Sequence, residues 1–404
     1  MHSTAVSGAP AHEKRVFLGV FIHNYAWGWQ IRGDERGYIE KVKKYRELGV
    51  EFFTLEKRPS LQDAMGERAY TSLELGRCQV PPQGVPQLVL FTLRVLGAGL
   101  RRYPSRPTVV YAYNQDIENI WPGYLLKRLI GARMVVVYHH LRPASFSTFR
   151  SGVADRLSRG FHPLSAIAKS VLPALNLYAA KRADVSIALS AATRDDVRSL
   201  VGVDGCAVVG NGVDSVRFRP VDLPKEYDAV FLGRLAPQKG VDVLLRAWKE
   251  VTRVEPGARL VLLGGGETKE VAAYKKLAGD LSLLGNVRFA GFVEDEEIVR
   301  VMGASKLFVF PSRKEGFAQA VSQAMACGLC CVLSDIPPLR EVYGGAAEFV
   351  PLDDPERLAA SVVRLLGADA ERAELGRRAR RLAEGLSWET TVKDELALIE
   401  GRGR

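Results

Sequence analysis

"VFLGRLAPQKGVDVLLRAW", residues 230–248, reads as a strand, a short loop and a helix. The apolar run stops at Gly233, Arg234 and Lys239 bracket the loop, and Gly240 opens a helical pattern. A continuous apolar strand followed within a few residues by a covering helix is the unit of a parallel sheet buried on both faces. The loop aims backbone N–H groups and the positive end of a helix at the place where two cations stand. An anion with two phosphates suits that place, because arginine forks onto oxygens and lysine supplies a point charge. Two solvated loop cations are the plainer alternative.

The unit recurs in both directions. Towards the C-terminus, strands are expected at 228–233, 259–264, 287–292, 306–312, 330–335 and 347–351. Before residue 213 they are expected at 16–22, 50–55, 108–113, 133–140, 185–190 and 206–212. "IENIWPGYLLKRLIGA" between two of these reads as a helix ending at Gly131, and Ser190 reads as the N-cap of another. The stretch 211–227, "NGVDSVRFRPVDLPKEY", is rich in turn residues. The fold class is therefore α/β: two doubly wound Rossmann-like domains facing across a cleft. The divisions are 1–212, a linker 213–226, 227–386, and a C-terminal helix 387–404 that packs back towards the first domain. Ligands of such sheets bind beyond the carboxyl ends of the strands.

Composition narrows the function. Residues 1–222 hold 30 Lys or Arg against 19 Asp or Glu, whereas residues 223–404 hold 26 against 27. The excess is strongest in 57–182, with 18 cations against 6 acids, so the first half faces an anionic partner or carries a solvated basic surface. The stretch 86–102 is interrupted by Arg94 and too short to span a bilayer, and "LSAIAKSVLPALNLYAA" contains Lys169 and Pro173. "MHSTAVSGAPAHEKR" lacks the apolar core of a signal peptide, so the expectation is a soluble or peripheral protein. Of five cysteines, Cys327, Cys330 and Cys331 sit in "CGLCC" with no second cluster to complete a zinc site, and nothing demands an oxidising compartment. The expected location is the cytoplasm, with the inner face of the membrane as a peripheral alternative.

A second site lies in "FPSRKEGFAQAVSQAM", residues 310–325. The strand delivers Ser312 to Glu315 to the cleft, Gly316 allows close backbone approach, and a helix follows from about Phe317. Glu315 and Gln323 are eight apart, slightly over two helical turns, so one side of a pocket is their expected place. A carboxylate there accepts from sugar hydroxyls; a helix-start acid stabilising its own dipole is the alternative. The two sites share one set of strand ends and together suit a nucleoside diphosphate sugar. A third candidate is His139–His140 at the end of "MVVVYHH", and a fourth is "NYAWGWQIRGDERGYIEKVKKYRELG", residues 24–49, with Gly28, Gly33 and Gly37 expected before a helix and Trp27 and Trp29 available to stack. "LLGGGETKE" lacks the order of a dinucleotide fingerprint and reads as a strand-end turn.

These residues resemble retaining glycosyltransferase family 4, glycosyl transferases group 1, of GT-B fold. The resemblance is carried by "NGVD" at 211–214, "FLGRLAPQKGVDVLLRA" at 231–247, "FVFPSRKEGFAQAVSQAMACGLCCVLSDIPPLREV" at 308–342, "ADVSIALSAATRDDV" at 183–197 and the terminal "SW" helix. It spans nearly the whole chain, densely from about residue 183 and thinly before it. It implies that Arg234 and Lys239 hold the donor diphosphate. It places Glu315, first acid of the family's E-x7-E pattern, near the donor sugar, with Gly316 and Phe317 giving backbone contacts. The second acid falls on Gln323, a departure: an amide accepts from a ribose hydroxyl more weakly than a carboxylate, so altered nucleotide affinity is expected. His139 is implied to face the donor, and Gly37 the phosphate.

The implied reaction is transfer of a hexosyl group from a nucleoside diphosphate sugar to a hydroxyl acceptor, a polysaccharide or lipid-linked glycan, with retention. The departing diphosphate takes the acceptor's proton. No D-x-D pair stands out, so no cofactor and no obligatory metal are expected. Two alternatives share the architecture: a nucleotide-sugar epimerase or hydrolase, and a non-catalytic sugar-binding subunit. A nucleic-acid binder ranks below both, since no groove-reading or aromatic-basic motif is present.

Overall fold

The structure is a computed structural model, and it describes residues 15–20, 33–56, 71–74, 85–101, 107–141 and 143–402. The first half contains strands β1 (Val16–Val20), β2 (Glu51–Glu56), β3 (Thr71–Glu74), β4 (Val109–Ala112), β5 (Arg133–Tyr138), β6 (Val185–Ala188) and β7 (Cys206–Val208). Its helices are α1 (Gly33–Glu47), α2 (Val85–Arg101), α3 (Ile117–Ile130), α4 (Phe149–Ser158), α5 (Pro163–Ala180) and α6 (Ala191–Asp196). The second half contains β8 (Tyr227–Leu232), β9 (Leu260–Leu263), β10 (Val287–Gly291), β11 (Ser305–Phe310), β12 (Cys330–Ser334) and β13 (Glu348–Val350). Its helices are α7 (Val241–Val254), α8 (Thr268–Asp280), α9 (Asp295–Gly303), α10 (Gln319–Ala326), α11 (Pro337–Tyr343), α12 (Pro355–Leu366) and α13 (Asp369–Gly385), and α14 (Trp388–Ile399) ends the described chain.

Both sheets are parallel and doubly wound. Their orders are β3-β2-β1-β4-β5-β6-β7 and β10-β9-β8-β11-β12-β13. In each, the first strand pairs with the fourth as well as the second, as in Val110 beside Leu18 and Phe308 beside Val230. That neighbouring pair is the topological switch point, where the loops on either side diverge and leave a crevice. The α/β two-domain fold expected from the sequence is the observed one. The first sheet has seven strands where six were expected, because β3 is a four-residue edge strand whose sequence, TSLE, carries no apolar run.

Local signals explain the helix ends. Gly131 closes α3 with φ 70, and its N–H bonds the Lys127 carbonyl. The Ser190 hydroxyl accepts from the Thr193 N–H at the start of α6, and that of Ser387 accepts from the Glu389 N–H at the start of α14. α14 crosses to the first sheet: Val392, Leu396 and Ile399 are buried with Phe17, Tyr45, Val135 and Val185. Lys41 and Glu395 form an ion pair there, both 0 % exposed. Oε2 of Glu395 accepts from the hydroxyls of Tyr45 (2.6 Å) and Tyr111 (2.8 Å).

Candidate active site

The loops after β8 and β11 lie side by side because their strands pair. After β8, Gly233 and Arg234 lead into a single turn, Pro237–Lys239, and Gly240 turns the chain into α7. Gly240 has φ 66, and a Cβ there would overlap the Pro311 carbonyl of the loop after β11. A side chain at this position would part the two loops. Arg313 reaches back to lock them: its N–H bonds the Gln238 carbonyl at 2.7 Å, and its guanidinium holds Asp242 through two 2.8 Å bonds. Burial alone would raise the Asp242 carboxyl, yet Arg313 and backbone N–H groups hold it below its ordinary value. Arg313 also bonds Asp353 at 2.6 Å, so it is a tie between loops rather than a cation offered to the cleft.

Within this frame Lys239 Nζ lies 2.5 Å from Glu315 Oε1 and 5.2 Å above the ring of Phe310. The Ser312 hydroxyl is 2.6 Å from the same carboxylate oxygen. Arg234 is half-buried on the loop that carries Lys239. The structure thus brings a cation and an acid, read separately in the sequence, into contact. It separates another pairing: α10 starts at Gln319, so Glu315 precedes the helix and shares no helical face with Gln323. Gln323 sits inside α10 and is 7 % exposed, and its side-chain amide bonds no other described residue.

The first half meets this site at the end of β5. The strand stops at Tyr138, two residues short of the expected 133–140, so His139 and His140 lie just beyond it. The His139 N–H donates to Gln115 Oε1, and its Nε2 is 2.7 Å from the Tyr113 carbonyl. Gly316 presses against the His139 carbonyl so closely that any Cβ would overlap it. Lys314 Nζ donates to the Leu141 carbonyl at 2.7 Å, and Phe317 packs beside Gly210 and edge-on to Tyr343. The two halves therefore touch through the loop that carries Glu315.

Gly37 does not precede a helix, as expected, but lies within α1, as does Gly33. The volume of a side chain at Gly37 is taken by the Tyr113 hydroxyl and the Trp388 ring, so this glycine lets α1, β4 and α14 approach. Gly28, Trp27 and Trp29 fall outside the described residues. Two further contacts had no signal in the sequence. Glu341 on α11 accepts from the N–H groups of Ala191 and Ala192 at the start of α6, joining the halves. The buried Lys41–Glu395 pair links positions 354 apart.

Cys327, Cys330 and Cys331 are free and buried, and burial pushes the thiols of Cys327 and Cys330 up to about 12. Among the described residues no cluster of three or more His, Cys, Asp or Glu is placed to hold a metal ion. Nor is any helix of those residues long and apolar enough to cross a membrane.

Comparison with known proteins adds the following. Residues 214–382 match the family model of glycosyl transferases group 1, and residues 31–217 match that of Glycosyltransferase Family 4. The D-inositol 3-phosphate glycosyltransferase of Acidothermus cellulolyticus is 31 % identical over 425 residues, covering 98 % of this chain and 92 % of that protein. The phosphatidyl-myo-inositol mannosyltransferase of Mycolicibacterium smegmatis is 32 % identical over 201 residues, or 48 % of this chain and 51 % of that protein. The Anabaena protein HepE, solved in complex with UDP and glucose, superposes with a TM-score of 0.74 at 18 % identity, covering 95 % of this chain and 99 % of that one. Family models that between them cover residues 31–382, and a relative matched over 98 % of this chain, settle the point: the chain belongs to glycosyltransferase family 4 and is a glycosyltransferase of GT-B fold.

Proposed function

We propose that the enzyme transfers a hexosyl group from a nucleoside diphosphate sugar to a hydroxyl of a phosphorylated or lipid-linked glycan acceptor, with retention at the anomeric carbon. The observation that carries this is the Lys239–Glu315 contact at the β8/β11 switch point. Arg234 and Lys239 take the diphosphate, and Lys239 exchanges its carboxylate partner for a phosphate oxygen. Glu315, released from the lysine, accepts from hydroxyls of the donor sugar, with the backbone of Gly316 and Phe317 beside it. Gln323 accepts from the ribose. His139 closes the site from the other half.

In the reaction the bond from the anomeric carbon to the diphosphate oxygen breaks and a bond to the acceptor oxygen forms on the same face. The acceptor's proton passes to the departing diphosphate. Arg234 and Lys239 stabilise the charge that develops there, so no resident metal is assigned. The reading places the enzyme in the cytoplasm, working peripherally at the inner face of the membrane. The relatives' inositol phosphate and phosphatidylinositol acceptors support an anionic acceptor, which the basic first half suits.

The test is a thermal-shift panel of UDP, GDP and ADP, with and without their sugars, against wild type and Arg234→Ala/Lys239→Ala. One nucleotide at about a hundred times its Kd stabilises wild type by roughly 2.7 kcal/mol and leaves the double variant unmoved. Sugar release that needs an acceptor supports transfer. Release or epimerisation without one supports the hydrolase or epimerase alternative, and no shift with any nucleotide overturns the reading.

A further inference from the structure

α2 is apolar on two opposite sides. Leu88, Phe91 and Val95 are buried, the last two against the face of the first sheet opposite α1 and α14. The other side bears Val89, Leu90, Leu93 and Leu100, which are 51, 55, 60 and 51 % exposed. Among the described residues no other helix exposes as many large hydrophobic side chains. A helix that is apolar all round is a buried helix, and no described helix is long and apolar enough to cross a membrane, so the outer side of α2 calls for a cover.

That side has the spacing of a helix pair. Leu90, Leu93, Gly97 and Leu100 follow one another at intervals of three, four and three, the alternation by which one helix faces another along a seam. Pro86, four before Leu90, continues the line. Glycine inside a helix costs stability, and the packing of a single chain gives no reason for it here: a Cβ on Gly97 would meet nothing within 4 Å. One arrangement accounts for both features. With a second α2 laid antiparallel about a two-fold axis, Leu90 faces the partner's Leu100 and Leu93 faces the partner's Gly97. Each central leucine then fills the gap that a glycine leaves. A lipid surface has no use for a glycine in the middle of its contact.

We infer that α2 is a self-association surface whose occupant is a second copy of this chain, paired antiparallel through Leu90, Leu93, Gly97 and Leu100. The pairing uses none of the donor-site residues and stands apart from the reading of the reaction. Few residues take part, against about 20–30 a side in a standard interface, so a dimer of roughly micromolar affinity is expected. The two-fold axis carries the exposed Arg94 of each copy to the same flank of the pair, near the axis, where like charges meet. Added salt screens them and should tighten the dimer, whereas salt weakens binding to an anionic lipid surface.

Sedimentation velocity of the full chain over a range of concentrations tests it. Wild type is expected to pass from monomer to dimer, and to do so more readily at high salt. Leu90→Ser/Leu93→Ser should weaken the dimer by about a hundredfold or more, since two apolar side chains of each copy no longer leave water. Gly97→Leu separates a fitted pair from a merely apolar face. It puts a better helix former into open space, so the melting temperature of dilute protein should not fall. It also overfills the gap opposite Leu93, and the dimer should weaken by roughly tenfold or more. Circular dichroism melting shows that each variant is folded. A wild type that stays monomeric, or a Gly97→Leu variant that associates as tightly as wild type, overturns the inference. So does flotation with phosphatidylglycerol vesicles, without self-association, that salt abolishes and Gly97→Leu leaves intact, which would make a lipid surface the occupant.

Discussion

Lys239 and Glu315 stand 76 positions apart in the chain and 2.5 Å apart in space, brought together by the lateral pairing of β8 with β11 and by the Arg313 tie between the loops that follow. Each is thereby held at the carboxyl end of its strand with its charge already matched. The two must fail differently. If Lys239 holds the diphosphate as proposed, Lys239→Ala removes a charged contact worth about 1.5–3 kcal/mol, and nucleotide affinity should fall by roughly 10- to 150-fold in calorimetric titration. Glu315→Gln keeps the shape of the site and should hold affinity within a few-fold, while kcat drops by about 100-fold or more. Equal losses of affinity in both variants would remove the division of labour.

Gln323 offers a gain instead. It is buried in the helix that follows the Glu315 loop, and its amide bonds no other described residue. Gln323→Glu would put a charged acceptor where a neutral one stands, and hydrogen bonds to ionised groups are roughly twice as strong as neutral ones. Nucleotide Kd should tighten by about three- to tenfold at neutral pH, and Gln323→Ala should weaken it. If neither variant moves Kd, Gln323 does not meet the ribose.

The strand-end residues were legible because an apolar run that stops at Gly233 or Phe310 announces its own end, and switch-point geometry says what gathers there. Arg313 and Lys314 were legible as charges but not as ties, since Asp242, Asp353 and the Leu141 carbonyl come from other elements. The start of α1 was misplaced for a related reason. Gly33 and Gly37 look like turn residues, and only the packing of Tyr113 and Trp388 shows why a helix keeps a glycine at 37. Edge strand β3 escaped because pairing with β2, rather than its own composition, makes it a strand.

Gly316 sets how closely the halves approach. A methyl group there would overlap the His139 carbonyl, a backbone group that can yield only by shifting its strand end. Gly316→Ala should leave each half folded and hold the cleft open, with loss of the Lys314–Leu141 bond. The expected result is a larger radius of gyration in solution scattering and a kcat lower by about 100-fold or more, because a misplaced half costs alignment of the reacting groups. Unchanged scattering with full activity would mean that the contact is not needed in turnover.

The buried Lys41–Glu395 pair fastens the C-terminal helix to α1 and β4, and its loss should be felt in stability. Lys41→Met leaves a carboxylate without its counter-charge and should cost about 3–5 kcal/mol in urea unfolding. Lys41→Met/Glu395→Gln should recover most of that, since the amide still accepts from Tyr45 and Tyr111 and no charge stays buried. The tyrosines add a pH dependence. Burial first, and the Glu395 carboxylate second, push both hydroxyls well above their ordinary value of 10.0. The folded state therefore keeps protons that the unfolded chain releases, so this contribution is whole below about pH 10 and is lost as pH climbs from there towards the folded values. The urea midpoint should hold level up to that pH and then decline, with tyrosinate absorbance rising in step with unfolding. Tyr45→Phe/Tyr111→Phe should flatten the decline; an unaltered alkaline limb would place its origin elsewhere.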